Sequence, residues 1–293
     1  MKRAAALILA LALMFSPTLP VMGADILIET VQEPQTGSIG GEWAVIAISR
    51  SGTDIPDGYY DTYLNSVEEK LVENDGILDS RKYTEYARVS LALAALGEDP
   101  RDFRGFDVLA PLKDVNMVRI QGNNGPIWAL IAVDSYDYEG YAETKEELLD
   151  IILDSQNEDG GYGLISGDAS DTDLTAMALT ALAPHTGEGE VSETVEKGIS
   201  WLSRKQKEGF ESCEACAQSL LAWSSLDLEK EADECREALE QFAQEGGYRH
   251  ELQEESPNGM STEQALYSIA AYERMKNGDC RLFDMRDVFP TEK

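Results

Sequence analysis

QNEDGGYGLISGDASDTDLTAMALTALAPH, residues 156–185, decides the fold. It opens on a glycine cluster at Gly160, Gly161 and Gly163, which stops any helix running into it. From Asp173 to Ala183 it becomes a run with Leu174, Met177, Leu179 and Leu182 on every side, so that no face suits water. A helix with that pattern is buried all round. Asp168, Asp171 and Asp173 crowd its start. They read as a helix cap, as the polar rim of a ligand pocket, or as a proton donor.

The pattern recurs outward in both directions. Segments rich in Ala and Leu lie at 42–49, 85–96, 125–133, 173–183, 215–226 and 263–275. Their spacing of roughly 40 to 50 residues is that of stacked helical hairpins. Between them run amphipathic stripes: Leu64, Val67 and Leu71; Leu148, Ile151 and Ile152; Val195, Ile199 and Leu202; Cys235, Leu239 and Phe242. Helical spacing with a charged opposite face sets one side inward and the other in water. The stretch 106–115, interrupted by Pro111, is a shortened member of the set. Glycine turns follow these stripes at Asn74 (NDGIL), Gln156 (QNEDGGYG), Gln206 (QKEGF) and Gln244 (QEGGY). Six buried helices inside five or six amphipathic ones predict an all-α fold, an (α/α)6 toroid with an inner and an outer ring. The sixth outer position falls to the segment from Asp25 or to the tail from Arg281. Open solenoids carry polar capping repeats at their ends, and no such repeat stands out here.

Composition bounds the function. Lys2 and Arg3, an apolar run from Ala4 to Phe15 and small residues at Gly23 and Ala24 predict a secretory signal peptide over residues 1–24. One domain is expected over 25–293, with its core at 40–278, in a secreted or cell-surface protein. Loss of the leader takes the formal charge from −31 to −33. So acidic a surface repels phosphate backbones and anionic lipid, which argues against nucleic-acid partners and membrane insertion. Four cysteines stand at 213, 216, 235 and 280, with Cys235 and Cys280 the candidate disulfide in an oxidising compartment. Only two histidines, His185 and His250, accompany them, which leaves a zinc site short of ligands.

The repeats carry a resemblance. QNEDGGYG is similar to the Q-x-x-x-G-x-W motif of terpenoid cyclases and protein prenyltransferases, with Tyr162 in the Trp position. DTDLTAMALTAL resembles both the D-T-A-A-M-A helix of the cobalamin carriers transcobalamin and intrinsic factor and the D-x-D-D-T-A stretch of squalene–hopene cyclases. KYTEYARVSLALAALGEDP, NGPIWALIAVDS and NGMSTEQALYSIAAY resemble exported bacterial proteins of the prenyltransferase-like group. Together these cover nearly all of 40–275. The resemblance implies the toroid. The cyclase likeness makes Asp173 the acid, with Leu174 where that family has a second Asp. The carrier likeness implies that polar residues at the inner-helix starts hold the amide arms of a corrinoid, against a second domain. Ser261-Thr262-Glu263-Gln264 lacks the cysteine of a thioester and the histidine of a prenyltransferase zinc triad.

The site is therefore expected at the mouth where the inner-helix N-termini converge. The candidate ligand-binding residues are Trp43, Tyr83, Glu85, Tyr86, Asn124, Trp128, Asp171, Asp173, Gln218, Glu263 and Gln264. Each alone reads as a cap; Trp, Tyr and amides on several helices of one ring read as a pocket. The expected function is non-catalytic binding of a small molecule, corrinoid-like or otherwise amide-rich, or of a separate protein domain. The alternative is a terpene-cyclase-like or polysaccharide-cleaving enzyme with Asp173 as acid and Glu263 as the second carboxylate.

Overall fold

The computed structural model describes residues 23–187 and 189–289. The expected leader lies outside these residues except for Gly23 and Ala24. The described chain is mostly helical, with 62% helix, 3% strand and twelve α-helices. No helix among the described residues is long and apolar enough to cross a membrane.

Six helices are the apolar segments: α2 (Trp43–Ser51), α4 (Thr84–Ala95), α6 (Asn124–Asp134), α8 (Thr172–Leu182), α10 (Cys213–Ser225) and α12 (Gly259–Asn277). Every residue of α10 is buried, as is every residue of α4 except Glu85. α2 packs on α4, α4 on α6, α6 on α8, α8 on α10, α10 on α12, and α12 back on α2. The amphipathic helices α3 (Tyr59–Glu73), α7 (Ala142–Asp154), α9 (Gly189–Glu208) and α11 (Glu229–Leu239) each bury one stripe and leave the rest of their surface more open. α7 packs on α6, α9 on α8 and α11 on α10, each through the stripe the sequence marks.

One expectation changes. Residues 106–115 form no outer α-helix. A short 3-10 turn, Ala110–Lys113, and the four-residue helix α5 (Val115–Val118), capped by Asp114, stand there. Pro111 at the start of the turn is compatible with helical entry but supplies no N–H to extend it. Of the two segments expected to compete for one place, the one from Asp25 forms a helix, α1 (Asp25–Thr30), which packs on α2.

The tail from Arg281 has another job, lying across the C-terminal ends of the inner helices. Arg50 Nε at the end of α2 donates to Leu282 O at 3.0 Å. Arg281 Nε donates to Ser225 O at 2.6 Å at the end of α10. Met285 N–H donates to Ser135 O at 2.7 Å at the end of α6. Carbonyls that helices leave unpaired at their C-termini, here Ser225 O and Ser135 O, attract the tail's donors, whereas Arg50 reaches the other way, from its helix end to a tail carbonyl. Leu282, Phe283 and Met285 are buried by this crossing.

The glycine motifs stitch the hairpins together. Gln156 Nε2 donates to Thr194 O of α9 at 2.8 Å, and Gln206 Nε2 donates to Glu231 O of α11 at 3.1 Å. Each glutamine thus ties the end of one outer helix to the first turns of the next. Gly160, at φ +94, comes so close to α9 that a Cβ would stand 2.7 Å from Lys197 O. The following tyrosine is locked alike in two repeats. Tyr162 N–H donates to Thr175 Oγ1 and Tyr248 N–H to Thr262 Oγ1, each at 2.9 Å. Backbone donors buried away from water need such partners.

Candidate functional site

Residues from all six inner helices line one cup of about 150 Å3. Trp43 comes from α2, Thr84 and Arg88 from α4, Asn124 and Trp128 from α6, and Met177 from α8. Gln218 comes from α10, and Gln264 and Tyr267 from α12. Each lies in the first two turns of its helix or nearly so, and the ordering of the helices brings these ends together.

Aromatic rings form its apolar surface. The Trp43 ring centroid is 4.7 Å from that of Trp128 and 5.5 Å from that of Tyr267, with the planes tilted by 49° and 47°. Below them Phe283 of the tail meets Trp128 edge-on at 5.7 Å and 84°. Tilted and edge-on pairs at these distances suit aromatic quadrupoles. Amides occupy the other side. Gln218 Nε2 donates to Gln264 Oε1 at 2.8 Å and also contacts the Tyr267 hydroxyl.

Arg88 is the charge at the cup, and it is held from beneath. Its Nε donates to Glu42 Oε2 at 3.2 Å and its Nη2 to Glu85 Oε2 at 2.8 Å. Glu42 is fully buried. Burial pushes its carboxyl up, while Arg88 and the Gly37 N–H pull it down. Glu42 Oε1 also accepts from Gly37 N–H at 3.0 Å and from the Tyr63 hydroxyl at 3.3 Å. A buried carboxylate so surrounded stays in place and aims the guanidinium.

Of the residues expected at the mouth, Trp43, Asn124, Trp128, Gln218 and Gln264 line the cup. Glu85 stands behind it as a partner of Arg88, with Lys70 Nζ at 3.9 Å. Tyr83 and Tyr86 meet with ring centroids 5.3 Å apart and planes tilted by 54°, and the Tyr86 hydroxyl accepts Leu78 N–H at 3.2 Å, which anchors the preceding loop. Asp171 is the cap of α8, accepting Leu174 N–H at 2.9 Å. Asp173 and Glu263 lie outside the cup lining. Glu263 lines a separate cleft beside α1. Sequence reading missed four lining residues: Thr84, which lies between the expected Tyr83 and Glu85, and Arg88, Met177 and Tyr267, which sit three or four positions beyond Glu85, Asp173 and Gln264. The last three occupy the next turn of the same helix face, so the 3.6-residue period carried one turn deeper reaches them.

Asp173 nevertheless has unusual surroundings. Its Oδ1 is enclosed and has no hydrogen-bond partner. Burial, with repulsion from Asp171, Glu214 and Glu211, pushes its carboxyl up to about 7 against a small pull from His250. Nearby, Glu214 bridges two groups: Oε1 accepts from the Ser261 hydroxyl and Oε2 from His250 Nδ1, both at 2.6 Å. That bond raises His250 above its ordinary value. The carboxylate stands between hydroxyl and imidazole, so this is not the Ser–His contact that nucleophilic catalysis requires.

All four cysteines are free thiols. The expected Cys235–Cys280 pair is not formed: Cys235 faces Cys216 across α10 and α11, Sγ to Sγ 3.8 Å. The burial of Cys235 on the inward stripe of α11 turns it toward α10 and away from the tail. Among the described residues no group of three or more His, Cys, Asp or Glu is arranged to hold a metal ion. No protein-family model matches the chain, and no curated protein matches it.

Proposed function

We propose that the chain is an exported, non-catalytic (α/α)6 toroid that binds a ligand in the cup at its inner-helix N-terminal mouth. The observation that carries this reading is the lining itself. Six helices spread over more than 200 residues of sequence each send a side chain to one small concavity. An apolar surface with a few convergent polar groups is what small-molecule sites are made of.

The size and lining of the cup support one class of ligand. About 150 Å3 is the space of a single aromatic-sized group. Three aromatic side chains favour a flat group, while Asn124, Gln218 and Gln264 offer amide donors and acceptors and Arg88 offers donors only. A planar carboxamide fits that set. For a corrinoid, one amide arm would enter and the macrocycle would rest on the rim, against a separate domain if one exists. Differential scanning fluorimetry with cobinamide, cyanocobalamin and nicotinamide tests this. A ligand that binds the folded chain raises its melting temperature. Loss of that rise in Trp43→Ala supports the reading, and an unchanged rise in that variant contradicts it.

Asp173 favours a second reading. A carboxyl held near neutrality is a competent proton donor, as an alkene-protonating or glycoside-cleaving enzyme needs. Against it, neither Asp173 nor Glu263 lines the cup, and the two serve different parts of the molecule. Turnover of squalene or of an oligosaccharide that is lost in Asp173→Asn would favour the enzyme.

A further inference from the structure

The head of α12 stands between two openings. Gln264 turns into the cup; Glu263, about 100° earlier around the helix, faces a second concavity. This cleft, of about 610 Å3, runs between residues 27–40 on one side and 257–263 on the other. Leu27, Val31 and Ile39 make an apolar wall, and Ile39 is 57% exposed along it. Glu263 is only 2% exposed. Its Oε1 accepts the Gly40 N–H at 2.6 Å, and its Oε2 is enclosed with no partner. An enclosed carboxylate oxygen without a donor is costly, and an incoming donor relieves that cost.

The rest of the cleft says which donor. Glu33 on the opposite lip has the same sign as Glu263. The N–H groups at the head of α12 are already taken, since Asn258 Oδ1 accepts from Met260 and Ser261 at 2.9 and 3.2 Å. An anion would meet two carboxylates and no cationic side chain there. A cation meets the reverse, and the formal charge of −31 draws it in. The volume is that of a small-molecule site.

We propose that this cleft binds a small alkylammonium, whose NH3+ group donates to Glu263 Oε2 while its hydrocarbon chain lies along Val31 and Ile39. Thr30, Gln32 and Gln35 on the same walls supply further acceptors within the cleft. Burial, followed by the neighbouring Glu42 charge, lifts Glu263 to about 7 against the Gly40 N–H. The other groups facing it are the Tyr59 hydroxyl of α3 and the Tyr267 hydroxyl of α12, both raised by burial and neutral at physiological pH, and Glu33 on the lip. The bound ammonium supplies a countercharge, so binding draws a proton off Glu263 near neutrality.

Isothermal titration of the chain with n-pentylamine at pH 8 and pH 6 tests the site, with 1-pentanol and pentanoate as controls of equal length. A primary amine is protonated at both pH values. The expected result is binding of pentylamine alone, weaker by about tenfold at pH 6, where Glu263 takes up its proton. Glu263→Gln, which keeps an oxygen for Gly40, loses at least tenfold in affinity; Ile39→Ser, on an exposed side chain, loses about threefold. Trp43→Ala in the cup leaves pentylamine binding unchanged, which separates this site from the one proposed above. Equal binding of pentanol, undiminished binding by Glu263→Gln, or no binding of pentylamine at pH 8 would overturn the proposal.

Discussion

Trp43 and Trp128, on α2 and α6, meet with their ring centroids 4.7 Å apart, although α3, α4 and α5 separate their helices in the chain. Each is held by a further ring, Trp43 by Tyr267 and Trp128 by Phe283. The two are not equivalent. Trp128 is buried and Trp43 half-buried. Trp128→Ala should therefore cost about 3–5 kcal/mol of stability, and Trp43→Ala about 1 kcal/mol while still emptying the cup wall. Chemical denaturation of both variants gives these differences, and equal losses would mean that Trp43 is as deeply enclosed as Trp128.

The Glu42–Arg88 pair predicts a larger asymmetry. Glu42→Leu leaves Arg88 with Glu85 alone and strands the Tyr63 hydroxyl and the Gly37 N–H. Removing one member of a buried pair costs about 3–5 kcal/mol. Glu42→Leu combined with Arg88→Met should recover part of that loss, because no charge is then left buried. Urea unfolding of the two variants measures it; a double variant no more stable than the single one would contradict the account.

The acids predict how stability varies with pH. Asp173 and Glu263 sit near 7 in the folded chain, above their ordinary values of 3.8 and 4.5. An acid raised on folding penalises the folded state once it ionises, so both penalties grow as pH rises from about 4 to about 8. His250, also raised, adds stability that is whole below 6.5 and is lost as pH climbs through its folded value. Asp99, Asp159, Asp284 and Asp287 are lowered by hydrogen bonds and arginine partners, and their contributions fail only as pH falls below about 4. Melting temperature should thus be higher at pH 5 than at pH 8. General charge repulsion pushes the same way. Asp173→Asn with Glu263→Gln separates the two causes, since it should flatten the profile; a slope unchanged in that variant would assign it to net charge.

The paired threonines give an additive case. Thr175→Val and Thr262→Val each orphan a buried backbone N–H, of Tyr162 and of Tyr248 respectively, and remove no apolar volume. Each should cost about 1–3 kcal/mol. They share no partner, so the double variant should lose the sum to within about 0.5 kcal/mol. A markedly smaller loss would show that the two repeats are not independent locks.

Thiol reactivity checks the cysteine arrangement. Cys213, Cys216 and Cys235 are buried, and Cys280 in the tail is half-buried. A native-state thiol assay should titrate Cys280 first, with the other three appearing only in denaturant. Rapid labelling of Cys216 in the folded chain would contradict the packing of α10 on α11.

How far the sequence reached depended on the kind of signal. The inner helices were legible because apolar residues on all sides have few other solutions; the expected 173–183 became Thr172–Leu182. The glycine turns were legible because Gly76, Gly160, Gly209 and Gly246 stand at positive φ, where other residues are strained. The region 106–115 was misread because Phe106, Val108 and Leu112 mimic a helical stripe, whereas Pro111 leaves only short turns. At the site, residues at helix starts announced themselves, but which way each pointed did not. Glu263 and Gln264 are neighbours that serve different cavities, and only the register of α12 decides between them. The floor under Trp128 was illegible, since Phe283 lies in a tail with no periodicity and is placed by hydrogen bonds to the ends of three helices.

The central claim is that side chains from six helices form one ligand-binding cup, and the indole N–H resonances of 15N-tryptophan-labelled chain test it most directly. Four tryptophans report: Trp43 and Trp128 in the cup, Trp201 bonded to Asp159 and Trp223 bonded to Gln206 elsewhere. In a titration with nicotinamide or cobinamide, the signals of Trp43 and Trp128 should move together along one binding curve while Trp201 and Trp223 stay fixed. Four unmoved signals with every planar amide, or movement of Trp201 and Trp223 alone, would contradict the claim.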